Sequence, residues 1–156
     1  SSRSLDETET RYKALVGQSL GVTDWVTLTQ NDLDRYSKLT YDHNWIHKKG
    51  AAEKGSPFGD TIAHGLLTLS LLPKFSYEIN AKYEDAFSLK DAKTSINYGY
   101  NKVRFIGPVL VDNQVRGTFV LKEISKNEKT NSIKRIVEVT VQTKNKNTGK
   151  ITDVVF

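Results

Sequence analysis

Ile62 to Leu72 is apolar on nearly every side, and its Leu66 to Leu72 portion is the most apolar run in the sequence. A helix with no polar face must be surrounded by protein, so the rest of the chain has to enclose this stretch. Pro73 is expected to end or kink the helix, with a more polar continuation to about Lys82. From Ser95 the hydrophobic period changes to two. Ile96, Tyr98 and Tyr100, then Val103 and Phe105, predict a long strand with its register disturbed near Asn101. Gly107-Pro108 interrupts it. Val115, Gly117, Phe119 and Leu121, with Ile124 soon after, predict another strand. Lys126 to Thr130 reads as a turn and Ile133 to Thr143 as a third strand. Asn147-Thr148-Gly149 is a hairpin turn before a last strand over Ile151 to Phe156.

Upstream, Gly21 to Leu28 is rich in β-branched and aromatic residues and reads as a strand. Thr29 to Asp32 carries helix-start chemistry. Leu33, Tyr36 and Leu39 follow at helical spacing, so a short amphipathic helix to about Thr40 is expected. Lys48 to Pro57 is a connection with a short helix around Ala51 to Lys54, and Tyr83 to Thr94 looks irregular. The fold class is therefore α+β. A curved antiparallel sheet wrapped around a long apolar central helix, the hot-dog arrangement, accounts for both the apolarity and the order of elements. An ordinary sheet with helices on one face is the rival, and it would leave part of Leu66 to Leu72 wet. No repeat or linker divides the 156 residues, so one domain over 1–156 is expected.

The chain has neither cysteine nor methionine. The first excludes disulfides, thiolate nucleophiles and cysteine-ligated zinc, and fits a cytoplasmic protein. The second implies that the start residue is missing, and Ser1 to Thr8 reads as a flexible polar tail rather than a signal peptide. No apolar run approaches the ~20 residues that span a bilayer, so no membrane insertion is expected. The net charge of +5 is either ordinary solubility or attraction to an anionic ligand. Basic and aromatic residues do not interleave as they do in single-strand binders, and no nucleic-acid partner is expected.

All three histidines lie between Asp42 and Gly65. Asp42 and His47 are close enough in sequence to converge on one water, which the carboxylate can deprotonate while the imidazole orients it or returns a proton to product. Asn44 supplies an amide that could fix either group. From spacing alone, an exposed aspartate and a core-edge histidine are the better account of the pair. Gly65 opens the apolar helix, where free N–H groups could stabilise a developing oxyanion, or it is small only to let the helix pack. His64 either caps that helix or lines the site. His43 and His47 would share a helix face, with Asp42 or His64 completing a zinc set, but the preceding residues do not form the long helix this geometry prefers, and no metal is expected. Lys48, Lys49, Lys102 and Arg104 are candidates for an anionic tail, Arg104 above the others because its strand is otherwise apolar.

Asp42-His-Asn-Trp-Ile-His47 resembles the Asp-x-Asn-Pro-x-His motif of MaoC-like dehydratases, the (R)-specific enoyl-CoA hydratases. Phe58-Gly-Asp-Thr-Ile-Ala-His-Gly65 resembles their Phe-Gly-x-x-Ile-Ala-His-Gly segment. Asn97-Tyr-Gly-Tyr-Asn-Lys-Val-Arg-Phe105 with Pro108-Val109 is similar to a third, strand-borne motif, in the manner of the NodN-like branch. The resemblance covers nearly the whole chain. It implies a hot-dog fold, a homodimer and an acyl-CoA thioester substrate, with no cofactor beyond the coenzyme A the substrate carries. It implies that Asp42 and His47 activate water, that Gly65 N–H binds the thioester oxygen with Asn44 in support, and that His64, Tyr98 and Arg104 lie on the substrate-binding side. The implied reaction is reversible hydration of a trans-2-enoyl-CoA to the (R)-3-hydroxyacyl-CoA. A thioesterase and a non-catalytic acyl-thioester binder are the alternatives. Tyr41 stands where the motif usually has glycine, Trp45 replaces its proline, Asp60 occupies a small-residue position, and Pro73 falls where some members carry serine.

Overall fold

The computed structural model describes residues 5–83 and 92–156. Helix α1 (Leu5–Lys13) leads into the short strands β1 (Ser19–Val22) and β2 (Val26–Thr27), then helix α2 (Gln30–Thr40). Helices α3 (Gly65–Leu69) and α4 (Leu72–Lys82) follow, and strands β3 (Gln114–Asn127), β4 (Ser132–Lys144) and β5 (Ile151–Val155) close the chain. The sheet is antiparallel in the order β1-β3-β4-β5, with β2 also paired to β3.

The long β3–β4 hairpin carries the core. Val115, Gly117, Phe119 and Leu121 alternate inward on β3, as their period of two demands. Phe75 and Ile79, one turn apart on α4, are fully buried in the same cluster. A Cβ at Gly117 would stand 2.9 Å from Phe75 Cδ2, so glycine is what lets α4 seat against the strand. Thr29 caps α2 as its chemistry predicts: Thr29 Oγ1 accepts from the Asp32 N–H at 3.3 Å, and Asp32 Oδ2 accepts from the Thr29 N–H at 2.9 Å.

Several expectations are corrected. The apolar helix starts at Gly65, because Ile62 is drawn into a bridge with Leu110. It breaks at Ser70-Leu71, where Pro73 has no N–H for the turn before it, yet Pro73 then sits in the first turn of α4, where a proline is well tolerated. Leu66 is 58% exposed, so one chain alone does not enclose this run. Gly21 to Leu28 is not one strand: Thr23 leaves the ladder, donating its N–H to Gly117 O and accepting the Gly117 N–H on Oγ1. Leu39 faces outward at 78% exposure, and the small Ser37 takes the inner face instead. Residues 51–54 form turns rather than a helix.

The strand expected from Ile96 to Phe105 is absent except at its end, where residues 104–106 bond to Phe156 and Val154. Strand β5, five residues long, takes residues 104–106 on its outer side and pairs with β4 only over Val141–Lys144. Strand β3 runs on to Asn127, which moves the expected turn to residues 128–131. From Leu5 the expected tail is helix α1, anchored by buried Tyr12, while its first four residues lie outside the described part. Most of the segment expected to be irregular, residues 84–91, also lies outside it. No helix among the described residues is long and apolar enough to cross a membrane.

Candidate active site

Helix α2 ends at Tyr41, whose φ of 62° and ψ of 13° turn the chain sharply and deliver Asp42. The Asp42 carboxylate is braced from below, Oδ1 accepting the Asn44 N–H at 3.3 Å. Asn44 then uses its own Oδ1 to accept the Ile46 N–H at 3.3 Å, which starts a single 3₁₀ turn over Trp45–His47. That turn carries the His47 ring into the interior beside the half-exposed Asp42.

His47 Nδ1 lies 2.7 Å from the Ile62 carbonyl oxygen. A carbonyl only accepts, so Nδ1 carries the proton, and in the neutral ring Nε2 presents its lone pair. Nε2 is 4.0 Å from Asp42 Oδ2. That separation is too long for a direct hydrogen bond and suits one oxygen atom bonded to both.

Residues 61–64 clamp the Asp42–Lys48 loop at four points. Thr61 Oγ1 donates to Lys48 O at 2.8 Å, and Ile62 N–H to Ile46 O at 3.0 Å. Ile62 O takes the His47 proton, and His64 Nε2 reaches Asp42 O at 3.3 Å. The clamp is itself fixed from behind, Ala63 N–H to Val109 O and Val111 N–H to Thr61 O. Gln30 adds a tie from α2 to His47 O at 3.0 Å.

His64 is buried, and its ring stacks on His47 with centroids 3.7 Å apart. Burial pushes its proton affinity below the ordinary histidine range, against the opposing pull of the Asp42 carbonyl. It occupies the position before α3 without capping it through its side chain. Asp42, His47 and His64 bring one potential ligand atom each within 4.8 Å of one another. His64 Nε2 faces the Asp42 carbonyl, and the buried Nδ1 of the same ring has no hydrogen-bond partner.

A model of the MaoC like domain matches residues 11–145. The chain belongs to the MaoC-like dehydratase family. It is 43% identical over 105 residues to 3-hydroxyacyl-thioester dehydratase Z of Mycobacterium tuberculosis, a match covering 67% of this chain and 65% of the relative. The chain thus spans just under two thirds of the length of that relative. It is 38% identical to Nodulation protein N of Rhizobium leguminosarum bv. viciae over 140 residues, covering 88% of this chain and 81% of the other. Among solved structures, the monoamine oxidase regulatory protein of Archaeoglobus fulgidus superposes with a TM-score of 0.64 at 20% identity, covering 92% of this chain and 87% of that one. The (R)-hydratase of A. caviae superposes at 0.57 and 22% identity, covering 90% and 94%. At those identities the superpositions establish the hot-dog fold.

In this MaoC-like chain the two sequence motifs are one hydrogen-bonded unit. Gly65 is the first residue of α3, so its N–H has no partner within the helix. It opens on a cleft of about 350 Å³ shared with Ile62, Thr68, Phe105 and Pro108. A Cβ at Gly65 would meet the Phe105 ring at 2.9 Å, so glycine is needed for packing whatever else it does. Tyr98 and Arg104 are exposed and make no described contact with the Asp42–His47–His64 cluster; the Tyr98 ring faces Lys134 instead. Lys102 lies over Phe156 and Lys49 is exposed. His43 points away, 3.1 Å from Lys48 Nζ, so it does not share a helix face with His47.

Sequence reasoning passed over Ser37, Gln30 and Thr61. Ser37 had a signal: it is a small polar residue one turn after Leu33, on the face an amphipathic helix buries. Gln30 and Thr61 bond to main-chain atoms that no spacing reveals.

Proposed function

We propose that this chain catalyses the reversible hydration of a trans-2-enoyl thioester of coenzyme A to the (R)-3-hydroxyacyl thioester. The observation that carries the reading is the 4.0 Å separation of Asp42 Oδ2 and His47 Nε2, both of them acceptors. A water between two acceptors must give a hydrogen to each. Its lone pairs then face outward, toward the β-carbon of a bound enoyl group. As the C–O bond forms, one of the two acceptors removes a proton, and the same proton can return to the α-carbon. Should Nε2 take it, the resulting imidazolium is stabilised by the adjacent carboxylate. Negative charge develops meanwhile on the thioester oxygen, for which the Gly65 N–H is the candidate donor. The relative named as a 3-hydroxyacyl-thioester dehydratase supports this chemistry, run in the opposite direction.

The reading extends to a homodimer. Arg104 and Ile106 bond inward to Phe156 and Val154, so the Phe105 N–H and carbonyl face away from the sheet. Ile96, Tyr98, Phe105, Ile106 and Phe156 are exposed along this edge, and a second copy would cover them. Arg104 and Tyr98 would then approach a substrate only in the assembled pair. A cytoplasmic place in acyl-chain metabolism completes the proposal.

Loss of enoyl absorbance from crotonyl-CoA is the test. Wild type should consume it, and Asp42→Asn and His47→Gln should each lower kcat by about 10²–10⁴-fold with the fold retained. Unchanged rates in both variants would refute the assignment. Release of free coenzyme A would indicate a thioesterase, and saturable binding without chemistry a thioester-binding protein.

A further inference from the structure

We propose that Ser37 and His64 form a buried positioning pair that sets the aim of both water-activating groups, an inference that rests on the hydratase reading above. Ser37 is fully buried on α2, and its Oγ lies 3.0 Å from His64 Nε2. The same nitrogen is 3.3 Å from the Asp42 carbonyl oxygen. That oxygen can only accept, so Nε2 carries the proton and shares it between the two oxygens. The ring is thereby fixed in its own plane. Tyr36 packs against it, with centroids 4.9 Å apart.

One ring then governs two reacting groups. It holds Asp42 through the main chain, which fixes where the carboxylate begins. It holds His47 through its face, the two rings lying within 24° of parallel. The bond from His47 Nδ1 to Ile62 O fixes only one point of that imidazole, about which the ring could still tilt. The stacked face of His64 closes one side, and so decides where Nε2 points. Its low proton affinity serves the same end. The charged and titratable groups around it are Asp42, His47 and Lys48, with the Tyr36 ring packed against it. A neutral His64 can lie against a protonated His47 during turnover, whereas two cationic rings at this separation would repel. Ser37 touches neither water nor substrate in this account and acts through His64.

The test is Ser37→Ala, which removes one atom from a buried site and leaves the backbone alone. Expected are a fall in kcat of about 10- to 100-fold on crotonyl-CoA, a KM within about twofold and little change in melting temperature, because misaimed groups slow chemistry without weakening binding. An unchanged kcat, or a fall that merely tracks lost folded protein, overturns the proposal. Ring ¹⁵N NMR supplies an independent readout: wild type should show His64 protonated on Nε2 and His47 on Nδ1, with the His64 assignment lost or mixed in Ser37→Ala. His64 protonated on Nδ1 in wild type refutes the pair whatever the activity. A wild type with no turnover defeats the hydratase reading instead, and the tautomers then decide the pair alone.

Discussion

Tyr41 adopts a backbone angle that its side chain resists. With φ at 62° it sits in the left-handed region, which disfavours L-residues other than glycine by roughly 1–2 kcal/mol. Glycine would hold the same turn before Asp42 without that cost. Tyr41 is 83% exposed, and few contacts would be lost with its ring. Tyr41→Gly should therefore raise stability by about 0.5–1 kcal/mol, the lower end reflecting the extra freedom glycine has when unfolded. Thermal denaturation would show it as a higher melting temperature with unaltered kcat. The site was legible at this scale to the extent that chemistry is written in residue types. The spacing of Asp42 and His47 alone favours an exposed aspartate and a core-edge histidine, and it is the resemblance of the whole motif that singles them out with Asn44. Ser37 does not stand out, since a buried serine is indistinguishable in sequence from an exposed one until its histidine partner is placed.

Among the elements, β3 and α4 set the core, and Gly117 is where they touch. A methyl group there would meet Phe75 Cδ2 at 2.9 Å and Phe119 Cε2 at 3.0 Å. Both rings are enclosed and have nowhere to retreat. Gly117→Ala should destabilise the fold by about 1–3 kcal/mol, read as a lower urea midpoint. Period and capping made α2, β3, β4 and β5 readable in advance, because each pattern had a partner that obeyed it. The pattern from Ile96 to Phe105 also alternates, apart from the shift near Asn101, and gives no such strand. Alternation reports which faces differ, not whether another strand is there to pair with, and β5 offers only five residues. The break at Ser70-Leu71 was foreseeable from Pro73, but its side was not: proline can close one helix or begin the next.

For the whole molecule, the exposed edge at residues 104–106 matters most. Under the dimer reading, wild type should sediment at twice 17.6 kDa, and Ile106→Lys should shift it toward the monomer mass at equal concentration. A wild type at monomer mass across the micromolar range would exclude that assembly. Leu66 is exposed, so the apolar run that the sequence marks out is not fully enclosed by this chain. The four-point clamp has a consequence of its own. The loop from Asp42 to Lys48 is held by residues 61–64, and those in turn by Val109 and Val111, so the site spans nearly half the chain's length although its two reactive groups are neighbours in sequence. A nascent or half-refolded chain can own both groups and still be inert, because nothing aims them until the later segment docks. On the hydratase reading, competence therefore depends on Val109 to Val111 as much as on the two groups themselves.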